Sequence, residues 1–158
     1  MVTIAYIEEE VARRIAQLDT TAYRQAAGET WRESPMPLTA SRESALKAHM
    51  LFSASVEGVD ARGHQDFAGD EVACSGELAV LYRWRIRPAE ASQLSDYRAA
   101  SEAARAIAGC VLALWPQVNC RPLVLWSPGP TVDGFMTVAL RFAVDFTLSI
   151  SPITVPNS

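Results

Sequence analysis

From Met136 to Ile150 apolar and polar residues alternate without a break, and this run dictates more of the fold than any other stretch. The even positions are Met136, Val138, Leu140, Phe142, Val144, Phe146, Leu148 and Ile150; the odd ones are Thr137, Ala139, Arg141, Ala143, Asp145, Thr147 and Ser149. A period of two is that of a β-strand with one buried face. At about 3.3 Å per residue such a run spans roughly 50 Å, well past the usual strand. It needs partner strands along its length and an apolar cover on one side.

Two other runs supply partners. Leu46, Ala48, Met50, Phe52, Ala54 and Val56 alternate with Lys47, His49, Leu51, Ser53, Ser55 and Glu57. Val72, Cys74, Leu78, Val80, Tyr82, Trp84 and Ile86 oppose Glu71, Ser75, Glu77, Arg83, Arg85 and Arg87 before Pro88 stops the strand. The Gly- and polar-rich Gly58–Gly69 stretch reads as an exposed loop between them. A fourth, brief strand is expected at Leu123–Trp126, followed by a turn from Ser127 to Gly134.

The cover comes from two helices. Ile4, Ile7, Val11, Ile15 and Leu18 recur at three- and four-residue spacing, with Glu9/Arg13 and Glu10/Arg14 as i,i+4 pairs and Glu8–Glu10 as a solvated face. A second helix is expected from Ser95, its N-cap, to about Trp115, burying Tyr97, Ala100, Ala104, Ile107, Val111 and Leu114. Its many alanines allow close packing. Residues 19–44 read as a long irregular connection anchored by Tyr23, Trp31, Met36 and Leu38. The expected fold is α+β: one domain over residues 1–152, with a mostly antiparallel sheet, helices on one face and long strand arms. A tail at 153–158 follows, able to dock onto a neighbouring subunit.

Composition narrows the function. With 49% hydrophobic and 20% charged residues the chain has the makings of a core, and a net charge of −4 provides no global basic field for nucleic acid. There is no apolar run of the ~20 residues that span a bilayer, and no signal-peptide pattern at Met1–Glu10, so a cytoplasmic, membrane-free protein is expected. Cys74, Cys110 and Cys120 lack CxxC spacing and read as reduced, buried thiols.

The sequence carries an expectation of no enzyme, no metal and no cofactor. His49 and His64 have no ligand partner at metal-binding spacing and read as a strand-surface and a loop residue. No GxSxG elbow, GxGxxG or GxxxxGK[ST] loop occurs. Arg83, Arg85 and Arg87 on one strand face either meet an anionic partner or pair with acidic neighbours such as Glu71 and Glu77.

Taken together, the Ile4–Leu18 helix, the strand Ala48–Val56 before a Gly/Arg-bearing loop, Leu78–Pro88, Ser95–Ala100 with the helix to Leu114, and the strand Val138–Val144 resemble the tail terminator, or tail-completion, proteins of long-tailed bacteriophages and prophage-like particles. The resemblance is one of pattern over about nine tenths of the chain. It implies a structural virion protein at the tail–neck junction, assembled in the host cytoplasm. It further implies a homohexameric ring that caps the tail tube, stops its polymerisation and docks head–tail neck proteins, while DNA passes through without specific binding. By the same analogy the protein interface falls at Arg62, His64, Asp66 and Phe67 in the first loop and at Asp133 in the last turn. Another neck component, or a small ligand-binding or enzymatic α+β domain with a pocket between helix and sheet, is the alternative.

Overall fold

The computed structural model describes residues 2–23, 29–39, 48–62, 71–114, 116 and 118–149. Five strands form one sheet in the order β1-β2-β3-β5-β4, with β1 Arg32–Glu33, β2 Leu51–Ala61, β3 Glu71–Arg85, β4 Asn119–Val132 and β5 Phe135–Ser149. Only β1 runs parallel to its neighbour. Two helices, α1 Ile4–Ala16 and α2 Glu90–Leu112, pack on one face, which makes the fold α+β as expected.

The covered face holds the core. Even-numbered side chains of β3 and β5 (Val72, Cys74, Leu78, Val80, Tyr82, Trp84; Met136 to Phe146) meet Ile7, Val11 and Ile15 of α1 and Ala100, Ala103, Ala104, Ile107 and Val111 of α2. Thr3 caps α1, its hydroxyl accepting the Tyr6 N–H at 3.0 Å. At one end of the core Tyr23, Trp31, Tyr82 and Trp84 pack edge to face, and Trp31 extends the cluster to Phe52. The Tyr82 hydroxyl donates to the Ala100 carbonyl of α2 at 2.6 Å, tying sheet to helix inside the core.

Several local expectations need correction. The first long strand starts at Leu51 rather than Leu46, because Met50 takes a left-handed conformation (φ 61) that breaks extended geometry; residues 46–47 lie outside the described set. It also runs past Gly58 to Ala61, where Gly58 (φ 59) accommodates a bulge between Glu57 and Asp60. Helix α2 begins at Glu90, with Ala89 in the cap position and no side-chain cap, so Ser95 is an interior residue. Tyr97 is exposed, while Asp96 is among the buried residues of that helix.

The Leu123–Trp126 segment is the middle of a 14-residue strand, and the turn shrinks from Ser127–Gly134 to Asp133–Gly134. Both turn residues have positive φ (53 and 83), as a two-residue I′ hairpin requires. In the 19–44 connection, Tyr23, Trp31 and Leu38 are buried as expected, but Met36 is 71% exposed, and β1 adds a two-residue strand there. The second face of the sheet is not uniformly polar: Leu38, Leu51, Ala79 and Leu81 make a small apolar patch on it, and Arg83 is buried beside them in the ladder. Glu8 is no solvated residue either, since its carboxylate accepts the Val56 N–H at 2.8 Å. Glu10 rather than Glu9 pairs with Arg13 (2.6 Å), and also with Arg14 (2.9 Å).

Candidate functional site

An open groove of about 770 Å³ lies at the Arg85 end of β3, between the chain around Glu29, the strand end and the first turns of α2. Sequence-distant charges meet there. Arg85 donates to Glu29 Oε1 at 3.0 Å. Arg87 grips Asp96 with its guanidinium at 2.8 and 3.0 Å, and the Arg87 backbone N–H adds a third bond to Oδ2 at 2.8 Å. Burial pushes the Asp96 carboxyl up, but these bonds outweigh it and hold the group below its ordinary value. Arg85 and Arg87 are thus paired, by Glu29 and Asp96 rather than by Glu71 or Glu77.

His49, expected on the strand surface, is lodged in this groove with its side chain 11% exposed, 4.5 Å from the Trp84 ring centroid. Its Nδ1 accepts the Arg85 backbone N–H at 3.0 Å, and its Nε2 lies 3.5 Å from Glu29 Oε2. That geometry assigns the proton to Nε2 and engages both ring nitrogens. Burial lowers the His49 pKa, with Glu29 opposing. A histidine so committed positions a strand end; it has no lone pair left to accept a proton from a substrate. Ser101 in the groove wall turns its hydroxyl to the Arg98 carbonyl of its own helix at 2.7 Å. The arrangement is chemically suited to locking α2 and the 29–31 segment onto the sheet end and to presenting paired charges to a partner.

A second surface is the sheet face away from the helices. Its side chains over β3 and β5 are small (Ala73, Ser75, Thr137, Ala139, Ala143), interrupted by two ion-pair groups. Arg141 reaches Glu77 at 2.9 Å and Glu57 at 3.7 Å, bridging two carboxylates that sit directly opposite each other in the ladder. Asp145 receives Arg62 at 3.4 Å and Arg121 at 3.7 Å.

Of the residues expected at an interface, Arg62 closes β2, half exposed and paired to Asp145, and Asp133 opens the β4–β5 turn. The register puts them at opposite ends of the 15-residue β3–β5 ladder, roughly 45 Å apart. His64, Asp66 and Phe67 lie outside the described residues. The groove residues Glu29, His49 and Asp96 carried no sequence signal, because their neighbourhood is made by topology alone.

Among the described residues no group of three or more His, Cys, Asp or Glu side chains is placed to hold a metal ion, and no helix is long and apolar enough to cross a membrane. The three cysteines are free, Cys74 buried and the others half-buried; burial pushes the Cys120 thiol up to about 11. Comparison with known proteins finds no matching family model and no matching curated protein.

Proposed function

We propose that this chain is a structural assembly subunit, a tail terminator of a long-tailed bacteriophage or prophage-like particle, acting in the virion as a ring on the end of the tail tube. The observation that carries the reading is the ladder of long antiparallel strands, β3, β4 and β5 of 15, 14 and 15 residues. It gives a single domain two far-apart ends and a small-residue face on which no other part of the described chain packs beyond the Leu38 patch. A ring subunit uses such a body by turning one end to the tube, the other to the neck, and its flanks to its neighbours. The bond pattern of the groove fits this role, since its charges lock one another rather than converge on a bound molecule.

The test is light scattering coupled to size exclusion, with negative-stain microscopy of the protein mixed with tail tubes. Rings of about six subunits, alone or on tube ends, are the expected outcome of a closed heterologous assembly. A stable dimer indifferent to tubes would overturn the proposal. Rings that bind the neck complex but not tubes would assign the chain to the neck instead.

A further inference from the structure

The two edges of the sheet are finished differently. Edge strand β4 carries Pro122, Pro128 and Pro130 and three register shifts along its pairing with β5, all devices that refuse a further strand. The β2 edge is straight from Ser53 to Glu57. Among the described residues strand β1 covers it at Leu51 and Phe52, and the Leu38 N–H donates to the hydroxyl of the buried Ser53. Beyond that, the outward N–H of Val56 is held by the Glu8 carboxylate, which stands where the carbonyl of an added strand would stand.

The sequence beyond β5, Ile150-Ser-Pro-Ile-Thr-Val-Pro156, has a one-sided strand pattern. In an extended chain the N–H groups of residues 152, 154 and 156 point to one side and those of 151, 153 and 155 to the other. Pro152 and Pro156 remove two of the first three. Such a segment can join a sheet through Ser151, Ile153 and Val155 but can only be its outermost strand.

It cannot reach the Ser53–Glu57 part of the β2 edge of its own chain. Leu78, opposite Val56, lies seven positions (78 − 71) along β3 from Glu71, the partner of Ser149. With two strand spacings across, Val56 is about 25 Å from Ser149, and a strand added beside Val56 would lie about 27 Å from it. At no more than ~3.6 Å per residue that distance uses about eight residues, past Val155.

We propose that residues 151–155 of a second copy add to the β2 edge at Ser53–Glu57, with a carbonyl of the incoming segment replacing Glu8 on the Val56 N–H. Donor and acceptor are different surfaces, so the contact is heterologous and propagates from copy to copy. Its closure into a ring rests on the function proposed above; the contact itself does not.

Two proline substitutions in the full chain test it by oligomer mass across concentrations. Ile153→Pro removes an N–H that faces the ladder and should weaken association by about tenfold or more. Thr154→Pro joins the side already bare of donors and should leave association within about twofold of the parent. A synthetic peptide of residues 149–157 should bind the Ile153→Pro chain and slow hydrogen exchange at Val56, and the same peptide N-methylated at Ile153 should not. Equal effects of the two prolines, or a peptide that leaves Val56 exchange unchanged, overturn the inference. Rings that persist in Ile153→Pro would refute strand addition and spare the terminator reading. The predicted split in open oligomers that ignore tail tubes would do the reverse.

Discussion

The two faces of β3 carry the same backbone to different ends. On the helix side Val72, Cys74, Leu78, Val80, Tyr82 and Trp84 are all buried under α1 and α2. On the other side the strand changes character along its length, from exposed Glu71 through half-exposed Ser75 and Glu77 to buried Ala79, Leu81 and Arg83. Burial follows alternation only where a helix stands over the sheet. Where cover comes from a short stretch of connection around Leu38, only a few positions are shielded.

The sharpest way to break this contrast is Trp84→Ala on the covered face. It removes the ring that meets Tyr23, Trp31, Tyr82 and His49, and a loss of about 3–5 kcal/mol is expected in urea unfolding. Leu81→Ala, on the opposite face of the same strand, should cost about 2 kcal/mol, because its thin cover can settle into the space left. Equal losses at the two positions would mean that the Leu38 patch is as tightly packed as the main core.

Asp96→Ala should cost about 1–2 kcal/mol, since it strands the Arg87 backbone N–H and frees the guanidinium. The smallest effect belongs to the open face: Arg141→Ala should change stability by less than about 1 kcal/mol, as its bonds to Glu77 and Glu57 are half-exposed.

Acid separates two groove contributions. The folded-state pKa of His49 is lowered, so between that value and the ordinary value of 6.5 the unfolded chain binds more protons. Stability therefore rises with pH through this window and is lost as pH falls below 6.5. The Asp96 carboxyl is held below 3.8, so its contribution is present above that pH and disappears only as pH falls through the folded value. His49→Phe should flatten the upper slope and leave the lower one, as followed by unfolding midpoints from pH 3 to pH 8.

Alternation was enough to read β3 and β5, and three- and four-residue spacing enough for α1, because each pattern reports a single apolar surface in contact with one layer. The prolines hid most of β4: they bar a central strand, but an edge strand tolerates them on its outer side and at its bulges. The Asp133-Gly134 pair was a hairpin signal that the neighbouring prolines obscured. Helix α2 starts five residues before Ser95 with an exposed first turn and no side-chain cap: Gln93 Nε2 donates to the Pro88 carbonyl at 3.0 Å, and Asp96 accepts the N–H of Arg87 just ahead of the helix. Strand β1 has two residues and exists only through its pairing with β2, so no local pattern could announce it. The groove was illegible for a related reason: Glu29, His49, Arg85 and Asp96 come from four separate stretches of chain.

The Asp133–Gly134 turn also sets an order of events in folding. Strands β4 and β5 are joined by two residues and can zip together within microseconds. Pairing β3 with β5 must first close a loop that contains all of α2, whereas β2 and β3, consecutive in the chain, pair across a much shorter connection. A nascent β4–β5 ribbon therefore waits with its proline-free side, β5, bare until β3 arrives. Crowded ribbons can pair with one another through that side, so yield on refolding should fall with protein concentration even though the finished β4 edge repels such contacts.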